Sequence, residues 1–138
     1  MVSSGSDANH GSDAVTQGIR VRVRPRFAPD HSDPSARRWV FTYHVRISNE
    51  GTEAATLLAR HWRIVDAEGR TREVSGEGVI GLQPRLEPGQ SHSYSSFCPL
   101  ETAWGSMEGS YLMERDDGTR FRASVARFLL VSPPESRG

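Results

Sequence analysis

Trp39-Val40-Phe41-Thr42-Tyr43-His44-Val45-Arg46-Ile47-Ser48-Asn49 decides the fold class. Trp39, Phe41, Tyr43, Val45 and Ile47 alternate with Val40, Thr42, His44, Arg46 and Ser48. Successive side chains of a strand point to opposite faces, so this period of two describes a long strand with an apolar inner face. The same alternation precedes it, where Ile19, Val21 and Val23 interleave with Arg20, Arg22 and Arg24. Asn49-Glu50-Gly51 turns the chain, and Ala54 to Val65 follows as a second long apolar-rich stretch with Leu57, Leu58, Trp62 and Ile64. Asp66-Ala67-Glu68-Gly69 turns it again into a short return over Arg70 to Val74. Leu86-Glu87-Pro88-Gly89 leads into His92 to Phe97. Met107 to Arg115 and Phe121 to Val125 are joined by Asp116-Asp117-Gly118, and Phe128 to Val131 closes the domain.

These runs predict seven or eight short strands. No window sustains the i, i+3, i+4, i+7 spacing of an amphipathic helix. The fold class is therefore all-β, an antiparallel β-sandwich, with an open barrel as the arrangement that periodicity does not separate from it. The composition of residues 1–16, rich in Ser, Gly and Asp, reads as a disordered N-terminal tail. It carries no basic and apolar run of the secretory type. Residues 17–131 form the domain, and residues 132–138 read as a flexible C-terminal tail.

At 138 residues the chain is long enough for one domain with its own core and needs no disulfide or metal staple. Seventeen basic and seventeen acidic residues balance to a formal charge of zero, which argues against a nucleic-acid binder. The apolar runs are too short for a membrane span. One cysteine closes no intrachain disulfide and points to a reducing, cytoplasmic compartment. The chain contains no lysine, so every basic side chain is a planar fork suited to bidentate contact with carboxylate or phosphate.

Four constellations bear on chemistry. Gly76-Glu77-Gly78-Val79-Ile80-Gly81 fits G-x-G-x-x-G, but Gln83-Pro84 and Pro88-Gly89 follow, so no helix starts there to receive a pyrophosphate. What remains is a glycine-rich loop, with a small-anion nest of loop amides as its functional alternative. Arg20, Arg22, Arg24 and Arg26 share one face of the first strand, a stripe about 20 Å long, read as a solvated or edge-protecting face or as a surface for an anionic partner. Residues 101–117 carry five carboxylates against Arg115, so a basic strand and an acidic segment underlie the neutral total and make a weak homodimer an expectation. In Arg60-His61-Trp62, alternation sends Arg60 and Trp62 to one face and His61 to the other. Trp62 is expected in the core with Arg60 covering its ring. No catalytic residues are assigned. Cys98 has no base within its own strand, because His92 lies six residues away. His10, His31, His44, His61 and His92 lack ligand spacing, so neither a metal site nor a cofactor is expected.

Arg60-His61-Trp62-Arg63-Ile64-Val65-Asp66, the segment Val74 to Pro84, Leu86-Glu87-Pro88-Gly89-Gln90-Ser91, Tyr94 to Thr102 and Gly105 to Tyr111 together resemble the ApaG (CorD) family. The likeness spans roughly residues 18–131. Phe97 stands where the family pattern has glycine, and Ala103-Trp104 where Thr-Pro is commoner. The resemblance implies a fibronectin type III-like sandwich in a small bacterial cytosolic protein linked to magnesium and cobalt homeostasis. It also implies a non-enzymatic module that mediates protein contacts, as the same domain does inside larger eukaryotic proteins. The family's glycine-rich loop, matched by Gly76, Gly78 and Gly81, has been suggested to bind nucleotide or pyrophosphate. That would make these glycines, with neighbouring Arg60 and His61, the anion-binding residues.

Overall fold

The computed structural model describes residues 10–134. Nine strands build two antiparallel sheets: β1 (Ser12–Thr16), β2 (Ile19–Phe27), β3 (Trp39–Asn49), β4 (Ala55–Asp66), β5 (Thr71–Glu77), β6 (Arg85–Leu86), β7 (Ser91–Leu100), β8 (Trp104–Arg115) and β9 (Arg120–Val131). One sheet runs β1-β2-β3-β7. The other runs β5-β4-β8-β9, with the short β6 added to β4. Two 3-10 turns, Pro29–His31 and Pro34–Ala36, fill the connection between β2 and β3.

The inner faces meet in one core. Ile19, Val21 and Val23 of β2, with Phe41, Tyr43, Val45 and Ile47 of β3, are buried against Trp62, Met107, Tyr111, Phe128 and Leu130 of the facing sheet. This is the alternation read from the sequence, and the sandwich is the observed architecture. Two seams join the sheets at their sides. At one, β1 lies beside β9, and the Ser124 amide donates to Thr16 Oγ1 at 3.1 Å. At the other, Arg72 of β5 donates to the Pro99 carbonyl of β7 at 3.3 Å.

The structure corrects two boundaries and the strand count. Residues 12–16 are not tail but the edge strand β1, paired with β2 from Ser12↔Val23 to Thr16↔Ile19. Composition misleads there because ladder bonds come from the backbone, and Ala14 is the modest inward residue a sheet margin needs. Residues 1–9 of the expected tail lie outside the described residues. At the other end Ser132 is anchored, its amide and hydroxyl both donating to the Ala103 carbonyl at 3.0 and 2.8 Å; residues 135–138 again lie outside the described residues. The strand count is nine rather than seven or eight, because β1 and β6 add two while 120–131 is one continuous strand. Pro25 sits inside β2, yet β1 ends opposite Val23, so at Pro25 the strand has only β3 as a neighbour.

Candidate functional site

The glycine-rich segment is built around Arg60. Gly76 lies opposite Arg60 in the β4–β5 ladder. A side chain at Gly76 would meet the guanidinium at 2.7 Å, so the missing Cβ is what lets Arg60 lie across the strand. Arg60 Nη1 donates to the carbonyls of Glu77 at 3.1 Å and Gly78 at 2.9 Å. Gly78 has φ +63, and a Cβ there would come within 2.3 Å of the Leu82 carbonyl oxygen. Ile80 and Gly81 both have positive φ and form the tip of a tight hairpin closed by reciprocal bonds between Val79 and Leu82. Gly78 and Gly81 thus have a backbone reason, and Gly76 makes room for a side chain.

The amides of Gly78, Val79 and Leu82 donate to Leu58, Leu82 and Val79 carbonyls respectively. Arg60 is engaged by two further carbonyls. Three amides of this loop and the Arg60 guanidinium are thus already engaged by protein carbonyls. Arg60, Gly76 and Gly78 are brought together. Gly81 stands apart at the exposed tip, and His61 faces away, its Nδ1 2.8 Å from Ser75 Oγ and its Nε2 2.8 Å from Glu73 Oε1.

Trp62 is in the core, 2% exposed, with its ring edge-on to Tyr43, Tyr111 and Phe128 at centroid distances of 5.5, 6.0 and 5.9 Å. Tyr94 and Tyr111 share a hydroxyl–hydroxyl hydrogen bond beside it. Burial pushes both phenols upward. Arg60 reaches the loop carbonyls, not the indole face.

Cys98 is buried in β7, and desolvation pushes its thiol up to about 11, only partly offset by Arg72. That leaves roughly one thiol in ten thousand ionised at pH 7. Labelling of the folded protein by iodoacetamide at neutral pH is expected to be slow and to become complete only on unfolding. Stoichiometric labelling within minutes would show a reactive thiol. Among the described residues no group of three or more His, Cys, Asp or Glu side chains is placed to hold a metal ion. No helix there is long and apolar enough to cross a membrane.

Two surface features were not legible in the sequence. On the outer face of the four-stranded sheet, Arg22 lies directly opposite Arg46 and Arg24 opposite His44. On the outer face of the other sheet, Trp104 is 50% exposed opposite Val131, itself 36% exposed. Leu129 and Val65 flank Ser106 in the next layer, which extends the apolar surface along β4, β8 and β9. Both features depend on register, which only the folded sheets supply.

The family model for the ApaG domain matches residues 29–115. The chain belongs to the ApaG domain family. An ApaG protein of Anaeromyxobacter dehalogenans is 53% identical over 122 residues, spanning 88% of this chain and 96% of that protein. The ApaG protein of Stenotrophomonas maltophilia is 52% identical over 121 residues, spanning 88% and 95%. Among solved structures, the ApaA protein of Bordetella pertussis superposes with a TM-score of 0.83 at 43% identity, covering 88% of this chain and 99% of that one. The C-terminal domain of Wzt shares the sandwich at a TM-score of 0.52 and 10% identity, a likeness of fold alone. The ApaG model begins at Pro29, so β1 and β2 with its arginines lie outside the matched span.

Proposed function

We propose that this ApaG domain is a non-enzymatic binding module that docks a protein partner on the outer face of the five-stranded sheet, centred on Trp104. The carrying observation is a half-exposed tryptophan beside Val131, Leu129 and Val65 on a rigid ladder. Exposed apolar surface of this kind marks interaction sites, and tryptophan dominates the energetics of such contacts. Burial of Cys98 in β7, which pushes its thiol up, argues against its use as a nucleophile. Support for a cytoplasmic partner in magnesium and cobalt homeostasis comes from the ApaG resemblance. The glycine-loop anion reading has less support, since its amides and Arg60 already have protein partners.

Trp104→Ser is expected to abolish capture of the partner from the native cytosol while shifting the melting temperature little, because the ring is already half in water. Capture unaffected by the substitution would sink the proposal, as would phosphoester or nucleotide turnover lost on changing a single surface residue. Sedimentation of the purified protein adds the remaining arm: a dimer that disappears with Trp104→Ser makes the partner a second copy.

A further inference from the structure

Eight of the sixteen described arginines are paired with an acid within 4.0 Å. Arg20 bonds Asp13 and Glu50, each at 2.9 Å, and Arg85 bonds Glu87 and Asp116. On the five-stranded sheet, Arg120 lies opposite Glu114 at 2.9 Å, and Arg63 opposite Glu108. On the outer face of the four-stranded sheet, arginines unpaired among the described residues stand side by side. Arg22 faces Arg46 and Arg24 faces His44 across the β2–β3 ladder, with Ser93 and Ser95 of β7 next in the same rows. Among the described residues, Arg24, Arg26 and Arg46 have no carboxylate within 4.0 Å. Among the described residues, Asp13, at 3.3 Å from Arg22 and shared with Arg20, is the one acid that answers the cluster.

Like charges directly opposite in a sheet are destabilising, so the facing pair Arg22 and Arg46 stores repulsion that Asp13 answers only on the Arg22 side, and Arg24 and His44 complete a square beside it. Its sides measure about 5 Å across the strands and about 7 Å along them. These groups line an open depression of about 550 Å³ bordered by Asp13 and Ser93. The volume lies within the range of small-ligand sites. His44 Nδ1 and Ser95 Oγ are 3.0 Å apart, which holds the imidazole in the row.

We propose that this face binds contiguous phosphoryl groups, as carried by an inorganic oligophosphate or by the phosphate chain of a nucleotide. A single carboxylate answers one guanidinium. Three guanidinium forks within reach of one another call for a ligand whose charges are equally close, and arginine matches phosphate oxygens bidentately. The serine hydroxyls add neutral donors at the border. The site lies on the opposite sheet from Trp104 and does not rest on the protein-docking proposal.

Calorimetric titration with sodium tripolyphosphate in about 150 mM NaCl tests it, with sulfate at matched ionic strength as control and a nucleoside triphosphate as a second arm. Tripolyphosphate binds and sulfate does not. Arg24→Ser and Arg46→Ser each weaken binding about ten-fold or more, and Asp13→Asn strengthens it. A nucleoside triphosphate that binds more tightly than tripolyphosphate identifies the nucleotide as the source, and equal or weaker binding identifies the bare phosphate chain. Without ligand, Arg46→Ser raises the melting temperature by about 1–3 °C, because one side of a repelling pair is gone. Binding that matches sulfate, or that survives both arginine substitutions, overturns the proposal.

Discussion

Trp62→Ala is expected to lower the melting temperature by about 10–25 °C or to prevent soluble expression. The indole is 2% exposed and meets three aromatic rings edge-on, contacts that no other side chain replaces. Truncating a buried tryptophan costs about 3–5 kcal/mol, a large share of the roughly 5–15 kcal/mol that holds a domain of this size. Trp62→Phe is the informative companion. It keeps an aromatic body in place and deletes Nε1, which is buried without a hydrogen-bond partner. Its loss is therefore well below that of Ala. Arg60→Ala removes two hydrogen bonds to loop carbonyls and costs about 1–2 kcal/mol, so thermal melts should rank Trp62→Ala, then the other two. A Trp62→Ala protein that melts like the parent would show that the indole does not hold the sheets together.

Gly109→Ala produces the second large effect, and for a reason of space alone. Gly109 sits on β8 opposite Trp62, where the β8–β9 register shifts. A Cβ there would lie 1.9 Å from the His61 carbonyl oxygen and 3.2 Å from Trp62 Cα. Both atoms are backbone, so the strands themselves must separate. Overpacking of this kind costs about 1–3 kcal/mol, and a ladder hydrogen bond broken beside it adds about 1 kcal/mol. Chemical denaturation should show the midpoint falling. Truncating the Trp62 side chain leaves both of those backbone atoms in place and so does not relieve the strain. A Gly109→Ala protein whose midpoint is unshifted would show that the strands accommodate the methyl group.

The sequence carried the sandwich because the alternation in residues 39–49 and 19–23 is a property of each strand by itself. Trp62 was legible in the same way: Ile64, two residues on, shares its face and is apolar, so the inner face declared itself. Arg60 shows where that reading stops. Its face was predictable, but its partners are the carbonyls of Glu77 and Gly78, which become visible only when β5 is laid beside β4. The strand β1 went unseen because Ser12, Asp13 and Thr16 resemble loop residues, while their pairing uses backbone groups that every residue has. The arginine stripe was visible as a stripe. That Arg46 and His44 stand opposite it is a statement about register, and no single strand contains it. Trp104 was noted as a departure from the family pattern, yet its exposure and its partner Val131 come from the β8–β9 ladder.

The meeting of Thr16 with Ser124 fixes when the molecule is finished. These residues are 108 positions apart. On a ribosome adding ~5–20 residues per second, β1 and β2 wait roughly 5–20 s for the strand that seals their side of the sandwich. During that interval the nascent chain presents an inner face of Ile19, Val21 and Val23 with nothing yet across from it. Premature termination within β9 would therefore yield not a shortened domain but an unsealed one, with Phe128 and Leu130 missing from its interior and a sticky flank in their place.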